Sequence, residues 1–218
     1  MVSTAVITAG GDVTTVLALA RFAAHLPDSA DDVRVIAADQ GLALADRLDL
    51  DVDVLVGDLD SVDPEQVSRA VAAGIDVRRH STDKDATDLD LALDLALAGG
   101  ARHIVVCDGG GDRFDHQLAN VLVAARAARH ARVTVVTTQA VVSVITDARE
   151  LRGSVGDVVT LLPVFGRVDG IATTGLLYQL SDESLVPGSS RGVSNELVAP
   201  EARVTIEAGT LLAVQPGR

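Results

Sequence analysis

The sequence has one cysteine and one lysine in 218 residues. A lone cysteine, Cys107, excludes an intrachain disulfide. Its place in the apolar run Ile104-Val105-Val106-Cys107 reads as a buried strand thiol, so a reducing, cytoplasmic setting is expected. No uncharged run approaches the ~20 apolar residues that a membrane helix needs. The first residues, Met1 to Ala5, lack a basic segment followed by an apolar stretch, so no signal segment is expected. No stripe of lysine or arginine is present either. With a net charge of −13 and a pI near 4.6, the chain lacks the basic face that a nucleic-acid partner requires. The patterns G-x-x-x-x-G-K-[ST] and G-x-G-x-x-G are missing, which removes the commonest nucleotide-binding folds. There is no internal repeat and no low-complexity segment.

What is present is apolar and ordered in period. Hydrophobic residues make up 48% of the chain, enough to bury a substantial core. Up to about residue 130, short apolar runs alternate with helical periods, the pattern of βαβ units around a parallel sheet. Strands are expected at 5–8, 33–37, 52–56, 75–79 and 103–107, with helices at 42–48, 64–73 and 115–129. The clearest helix begins near Thr87, a suitable N-cap with Asp88 and Asp90 in the first turn. Leu89, Leu93 and Leu97 share one face, and Gly99-Gly100 stops it.

After about residue 131 the helical period disappears, and β-branched runs recur every eight to twelve residues. Strands are expected at 133–138, 141–145, 157–163, 166–171, 175–180, 195–199, 202–207 and 210–214. The expected class is therefore α/β plus all-β. A mostly parallel α/β/α domain, 1–138, precedes a C-terminal all-β domain, 139–218, across a short junction with no Pro/Ser-rich linker.

Three segments carry aspartates beside glycine or at the end of an apolar run. They are Gly57-Asp58-Leu59-Asp60-Ser61, Asp83-Lys84-Asp85-Ala86-Thr87-Asp88 and Gly109-Gly110-Gly111-Asp112-Arg113-Phe114-Asp115-His116. Any one alone also reads as solvated surface. Their position at the carboxyl ends of buried strands, where open α/β sheets bind ligands, favours a site. Carboxylates repel phosphate oxygens unless a hard cation lies between them, so the pattern points to Mg²⁺ against a polyphosphate.

In an extended chain Asp58 and Asp60 share a face, and Mg²⁺ resolves their mutual repulsion. Ser61 either bonds a phosphate or caps the next helix, which Pro64 can also open. Asp85 and Asp88 are three apart at a helix start, where phosphate is attracted. Lys84, the one lysine, can reach a phosphate oxygen as a compact ammonium. Arg113 suits a phosphate, and the glycines before it let backbone amides approach a nucleotide. His116 beside Asp112 and Asp115 is either a structural residue at a helix start or a general base. Gly10-Gly11-Asp12 repeats the strand-glycine-acid pattern.

In their order and spacing, Ala38-Asp39-Gln40-Gly41, Gly57-Asp58-Leu59-Asp60-Ser61, Lys84-Asp85-Ala86-Thr87-Asp88 and Gly111-Asp112-Arg113-Phe114-Asp115-His116 with Ala119-Asn120 resemble the thiamine pyrophosphokinase family. Gly175-Leu176-Leu177-Tyr178-Gln179-Leu180 and Ser194-Asn195 resemble its Gly-Leu-Lys-Trp and Ser-Asn segments. The resemblance implies an α/β nucleotide-binding domain joined to a C-terminal β-sandwich, working as a homodimer, and Mg²⁺-dependent transfer of a diphosphoryl group from ATP to the thiamine hydroxyl, releasing AMP. It implies that Asp58, Asp60 and Asp85 bind Mg²⁺ and the ATP phosphates, with Asp88 in support. Asp39, Arg113, Asp115 and Asn120 then complete the nucleotide pocket, while Tyr178, Ser194 and Asn195 contact thiamine. Two positions depart from the pattern. Gln40 replaces a glycine and crowds the backbone approach to ligand, and Tyr178 replaces a tryptophan, giving less stacking area. A pyrophosphokinase for another alcohol such as a hydroxymethylpterin, a Mg²⁺-dependent phosphohydrolase and a non-catalytic sensor remain alternatives.

Overall fold

A computed structural model describes residues 3–10, 13, 15–29, 31–83, 85–110 and 113–217. Lys84, Gly11, Asp12, Gly111 and Asp112, singled out in the sequence, lie outside them. The chain forms two compact units, Met1–Thr138 and Gln139–Arg218. No helix among the described residues is long and apolar enough to cross a membrane.

The first unit alternates strand and helix throughout: β1 (Thr4–Ala9), α1 (Val16–Ala23), β2 (Val33–Ala38), α2 (Gly41–Arg47), β3 (Val54–Gly57), α3 (Pro64–Ala72), β4 (Asp76–Arg79), α4 (Asp88–Ala98), β5 (His103–Asp108), α5 (Phe114–Ala127) and β6 (Arg132–Thr137). The strands lie in the order β4-β3-β2-β1-β5-β6 and every pairing is parallel. The inner strands are buried almost end to end, and Ile7, Ile36, Leu55 and Ile104 are among their fully buried side chains. The edge strand β4 is short and polar instead, with Arg78 Nε donating to Asp76 Oδ2 at 2.9 Å, which discourages pairing with another chain. The stretch 132–137, whose period groups it with the β-rich tail, is the sixth parallel strand, because α5 returns it beside β5.

The strand order reverses direction between β1 and β5, so the crevice at the carboxyl ends of these two strands is where a doubly wound sheet takes a ligand. Two helices that face this crevice carry distinct local signals. Thr87 Oγ1 accepts from the Asp90 amide at 3.2 Å while the Thr87 amide donates to Asp90 Oδ2 at 3.4 Å, a reciprocal cap that starts α4 where expected. Gly99 and Gly100 end it, Gly100 at φ +87°. Gly41 opens α2 so close to β1 that an added Cβ would stand 2.0 Å from the Thr8 carbonyl oxygen.

The second unit is antiparallel and β-rich. It comprises β7 (Ala140–Ile145), β8 (Ala148–Arg152), β9 (Val158–Thr174), β10 (Glu183–Leu185), β11 (Asn195–Glu196), β12 (Glu201–Thr205) and β13 (Ala208–Pro216). β13 pairs with β7 and with β9, and β12 pairs with β8 and with the far end of β9. The expected strands 157–163 and 166–171 are thus one long strand, kinked where Phe165 and Gly166 take φ values of 63° and 145°. The expected strand 175–180 is instead a turn, joined to the sheet by an isolated bridge, Leu176 to Leu197, rather than by a ladder. Ile145, Leu151, Leu161, Ile171, Leu176 and Leu211 meet in one core.

Candidate functional site

The segment Gly57-Asp58-Leu59-Asp60-Ser61 is a turn rather than an extended strand end. Leu59 adopts φ +60° and is buried against Leu42, Leu55 and Val62. A left-handed leucine costs about 1–2 kcal/mol, and burying its side chain returns about 1.5–3 kcal/mol, so the turn is held by its apolar residue. The consequence is that Asp58 and Asp60 converge although the backbone is not extended. The Asp60 amide donates to Asp58 Oδ1 at 3.3 Å, and Ser61 Oγ donates to Asp60 Oδ1 at 2.9 Å. Ser61 therefore does not cap α3. Asp63 does, accepting from the Glu65 amide at 2.9 Å, with Pro64 in the first helical position.

Strand β2 brings a third carboxylate to this turn. The Asp39 amide donates to the Val56 carbonyl at 2.9 Å, which carries the sheet pairing one residue past the strand end. Carboxylate oxygens of Asp39, Asp58 and Asp60 lie within 4.8 Å of one another, the one such group among the described residues. Asp39 Oδ1 is buried and makes no hydrogen bond. Burial pushes the Asp39 carboxyl above its ordinary range, the Gln40 amide pulls it partly back, and the charges of Asp88, Asp58 and Asp60 push it up again. A buried, unsatisfied oxygen amid three more acidic groups is a donor set that suits a hard divalent cation. Asp85 is exposed in the loop before Thr87 and is not a member of this group.

Asp88, at the start of α4, closes the same corner. A Cβ added at Gly57 would stand 3.1 Å from Asp88 Oδ1 and 3.3 Å from Asp39 Cβ. The glycine that ends β3 is thus what lets these two acids approach.

A cavity of about 500 Å³ opens from this corner across the carboxyl ends of β1 and β5. Asp39, Ser61, Asp88, Arg113, His116 and Asn120 line it, six of the residues singled out in the sequence. Gln40 lines it as well, in helical conformation (φ −59°) with its side chain exposed, so its backbone needs no glycine. Arg113 forms a forked ion pair with Asp115, Nη2 to Oδ2 at 2.5 Å and Nε to Oδ1 at 3.2 Å, both side chains being largely exposed. The hydrogen bond from Arg113 holds the Asp115 carboxyl down at about 2.

Asp108 is the acidic residue lining this cavity to which the sequence reading assigned no role. It ends β5, is 1% exposed, and accepts from the Gly110 amide at 2.9 Å and from Asn120 Nδ2 at 3.1 Å. Burial pushes its carboxyl up, and the two hydrogen bonds and the nearby His116 act against that rise. The available signal was an acid ending a buried strand directly before three glycines.

In the second unit, Tyr178 is 65% exposed and Asn195 is 5% exposed. Asn195 engages backbone through both ends of its amide: Oδ1 accepts from the Tyr178 and Glu196 amides, both at 2.9 Å, and Nδ2 donates to the Tyr178 carbonyl at 2.7 Å. Ser194 sits beside it at φ +60°, its amide donating to Thr160 Oγ1 at 3.2 Å. Asn195 thus positions the turn that displays the tyrosine ring.

Residues 29–137 match the family model described as thiamin pyrophosphokinase, catalytic domain, and residues 144–211 match the model described as thiamin pyrophosphokinase, vitamin B1 binding domain. A thiamine pyrophosphokinase of Bacillus subtilis (strain 168) is 24% identical over 162 residues, which cover 73% of this chain and 76% of that protein. The crystal structure of the Bacillus subtilis thiamine pyrophosphokinase superposes with a TM-score of 0.83 at 23% identity, covering 99% of this chain and 100% of that one. That of Geobacillus thermodenitrificans thiamin pyrophosphokinase gives 0.79 at 25% identity, covering 99% and 98%. With both models matched in order along most of its length, the chain belongs to the thiamin pyrophosphokinase family.

Proposed function

We propose that this chain transfers a diphosphoryl group from ATP to the hydroxyl of thiamine, giving thiamine diphosphate and AMP, with Mg²⁺ held by Asp39, Asp58 and Asp60. The observation that carries this reading is the convergence of those three carboxylates beside a cavity at the strand ends. The cation, when bound, neutralises the phosphate oxygens and makes the β-phosphorus open to attack.

The chain's own residues supply the rest. Asp88 and the exposed Asp85 complete the acidic rim around the metal and the phosphates. Arg113 turns from Asp115 to a phosphate oxygen, and Lys84, outside the described residues, is assigned the same task. Ser61, His116 and Asn120 hold the nucleotide within the cavity. The alcohol oxygen attacks the β-phosphorus in line as the bond to the α-phosphate oxygen breaks, and AMP leaves with that electron pair. The alcohol proton passes late to a facing carboxylate, Asp60 or Asp85. Tyr178 stacks on the cationic ring of thiamine, worth ~1 kcal/mol or more once desolvated, in a turn held by Asn195 beside Ser194.

We read the C-terminal unit as a β-sandwich, the working molecule as a homodimer, and its setting as cytoplasmic. A product assay tests the reaction, using purified protein, ATP and Mg²⁺ with and without thiamine. The expected result is thiamine-dependent AMP with matching thiamine diphosphate, abolished by EDTA. ADP, or phosphate released without an acceptor, overturns it.

A further inference from the structure

The nucleotide cavity contains a buried acid that the diphosphoryl transfer does not use. Asp108 ends β5 at the point where the strand order reverses, beside the end of β1, its register partner there being Ala9. Its fork is fixed from both sides, Oδ1 by the Gly110 amide at 2.9 Å and Oδ2 by Asn120 Nδ2 at 3.1 Å. An ionised carboxylate has about four acceptor positions, so each oxygen keeps one for a ligand. Nothing in this arrangement invites phosphate, since a second anion against a buried carboxylate is repelled without a cation between them. Of the parts of a nucleotide, the group that packs here is an uncharged hydrogen-bond donor.

A nucleoside triphosphate offers two such groups, the ribose hydroxyls and the amine of the base. The adenine amine is flanked by ring nitrogens that accept, and one of these would face the second carboxylate oxygen. Two neighbouring hydroxyls match two oxygens that each have one position free. We propose that Asp108, oriented by Asn120, is the specificity-determining residue for the ribose of the donor nucleotide and accepts from its 2′- and 3′-hydroxyls. Carboxylate recognition of ribose hydroxyls at the strand ends of doubly wound sheets follows the same chemistry. Burial also raises the cost of the Asp108 charge, and two ligand donors relieve it.

This inference rests on the nucleotide reading above, and direct binding separates the two. Calorimetry with the whole protein and Mg²⁺ compares ATP, 2′-deoxy-ATP and 3′-deoxy-ATP. Loss of either hydroxyl is expected to weaken wild-type binding about tenfold or more. In Asp108→Asn that ratio is expected to fall to within about threefold, with circular dichroism unchanged. Equal wild-type affinity for all three nucleotides overturns the proposal while leaving the proposed function standing, and needs no variant. Full sugar discrimination retained in Asp108→Asn also overturns it, as does a variant that instead changes the preference for ATP over a purine riboside triphosphate lacking the amine. Failure of the wild type to bind any of the three overturns both readings.

Discussion

Asn195 grips the backbone of Tyr178 in both directions, Oδ1 accepting from its amide at 2.9 Å and Nδ2 donating to its carbonyl at 2.7 Å. The exposed ring is therefore displayed by a buried amide seventeen positions away. Asn195→Ala leaves the Tyr178 amide and carbonyl and the Glu196 amide without these partners. We expect a loss of about 2–3 kcal/mol in chemical denaturation. We also expect the thiamine KM to rise while the ATP KM holds, because only the displayed ring moves. An unchanged thiamine KM would separate this turn from the acceptor.

Gly57 shows how one missing side chain sets the spacing of an acidic corner. A Cβ there would approach Asp88 Oδ1 to 3.1 Å and Asp39 Cβ to 3.3 Å, on a backbone with φ +154°. Gly57→Ala is expected to cost about 1–3 kcal/mol in backbone strain. Because Asp39 and Asp88 must part, Mg²⁺ affinity measured by calorimetry in the presence of a non-hydrolysable ATP analogue is expected to fall with it. A melting temperature and a Mg²⁺ affinity both equal to wild type would contradict this packing.

The parallel half of the fold was legible because its inner strands are buried almost end to end and α4 carries strong local signals. Thr87 with Asp90 and the Gly99-Gly100 stop mark both ends of α4 within its own sequence. The β-rich half was less legible because its strand limits depend on partners. Residues 158–174 form one strand only because β13 and β12 take up its two ends, and 175–180 becomes a turn because Asn195 claims its backbone. The same distinction holds at the site. Asp58 and Asp60 are near in sequence, so their convergence could be read, although a buried left-handed Leu59 brings it about. That Asp39 joins them depends on β2 and β3 being neighbours, which no local pattern encodes. Asp108 needs the strand order as well, since its meaning comes from lying beside β1.

The three carboxylates make unequal claims on a cation. Asp39 is held from below by the sheet and has a buried oxygen with no hydrogen bond, whereas Asp60 is exposed and already accepts from Ser61. Asp39→Asn, Asp58→Asn and Asp60→Asn are each expected to lower turnover by ~100-fold or more with folding intact, as loss of fixed electrostatic stabilisation does. Asp85→Asn, outside the group, is expected to cost less. Steady-state kinetics across a Mg²⁺ series decides the order. A larger loss at Asp85 than at Asp39 would move the metal toward the α4 loop.

The Arg113–Asp115 pair reports on phosphate binding through its titration. The hydrogen bond from Arg113 lowers the Asp115 carboxyl to about 2 from an ordinary value of 3.8. A depressed folded value means that the pair's contribution is present above 3.8 and is lost as pH falls through about 2. Both side chains are exposed, so the contribution to stability is small and the titration itself is the better measure. Carbon-detected NMR of the Asp115 carboxyl is expected to show an inflection near 2 in the free protein. In Arg113→Gln it should return toward 3.8. If Arg113 leaves Asp115 to take a phosphate oxygen, a Mg²⁺–ATP analogue should move the wild-type inflection in the same direction, because the fork cannot serve both anions. An inflection that stays near 2 with ligand bound would mean that Arg113 remains on Asp115 and another cation meets the phosphates.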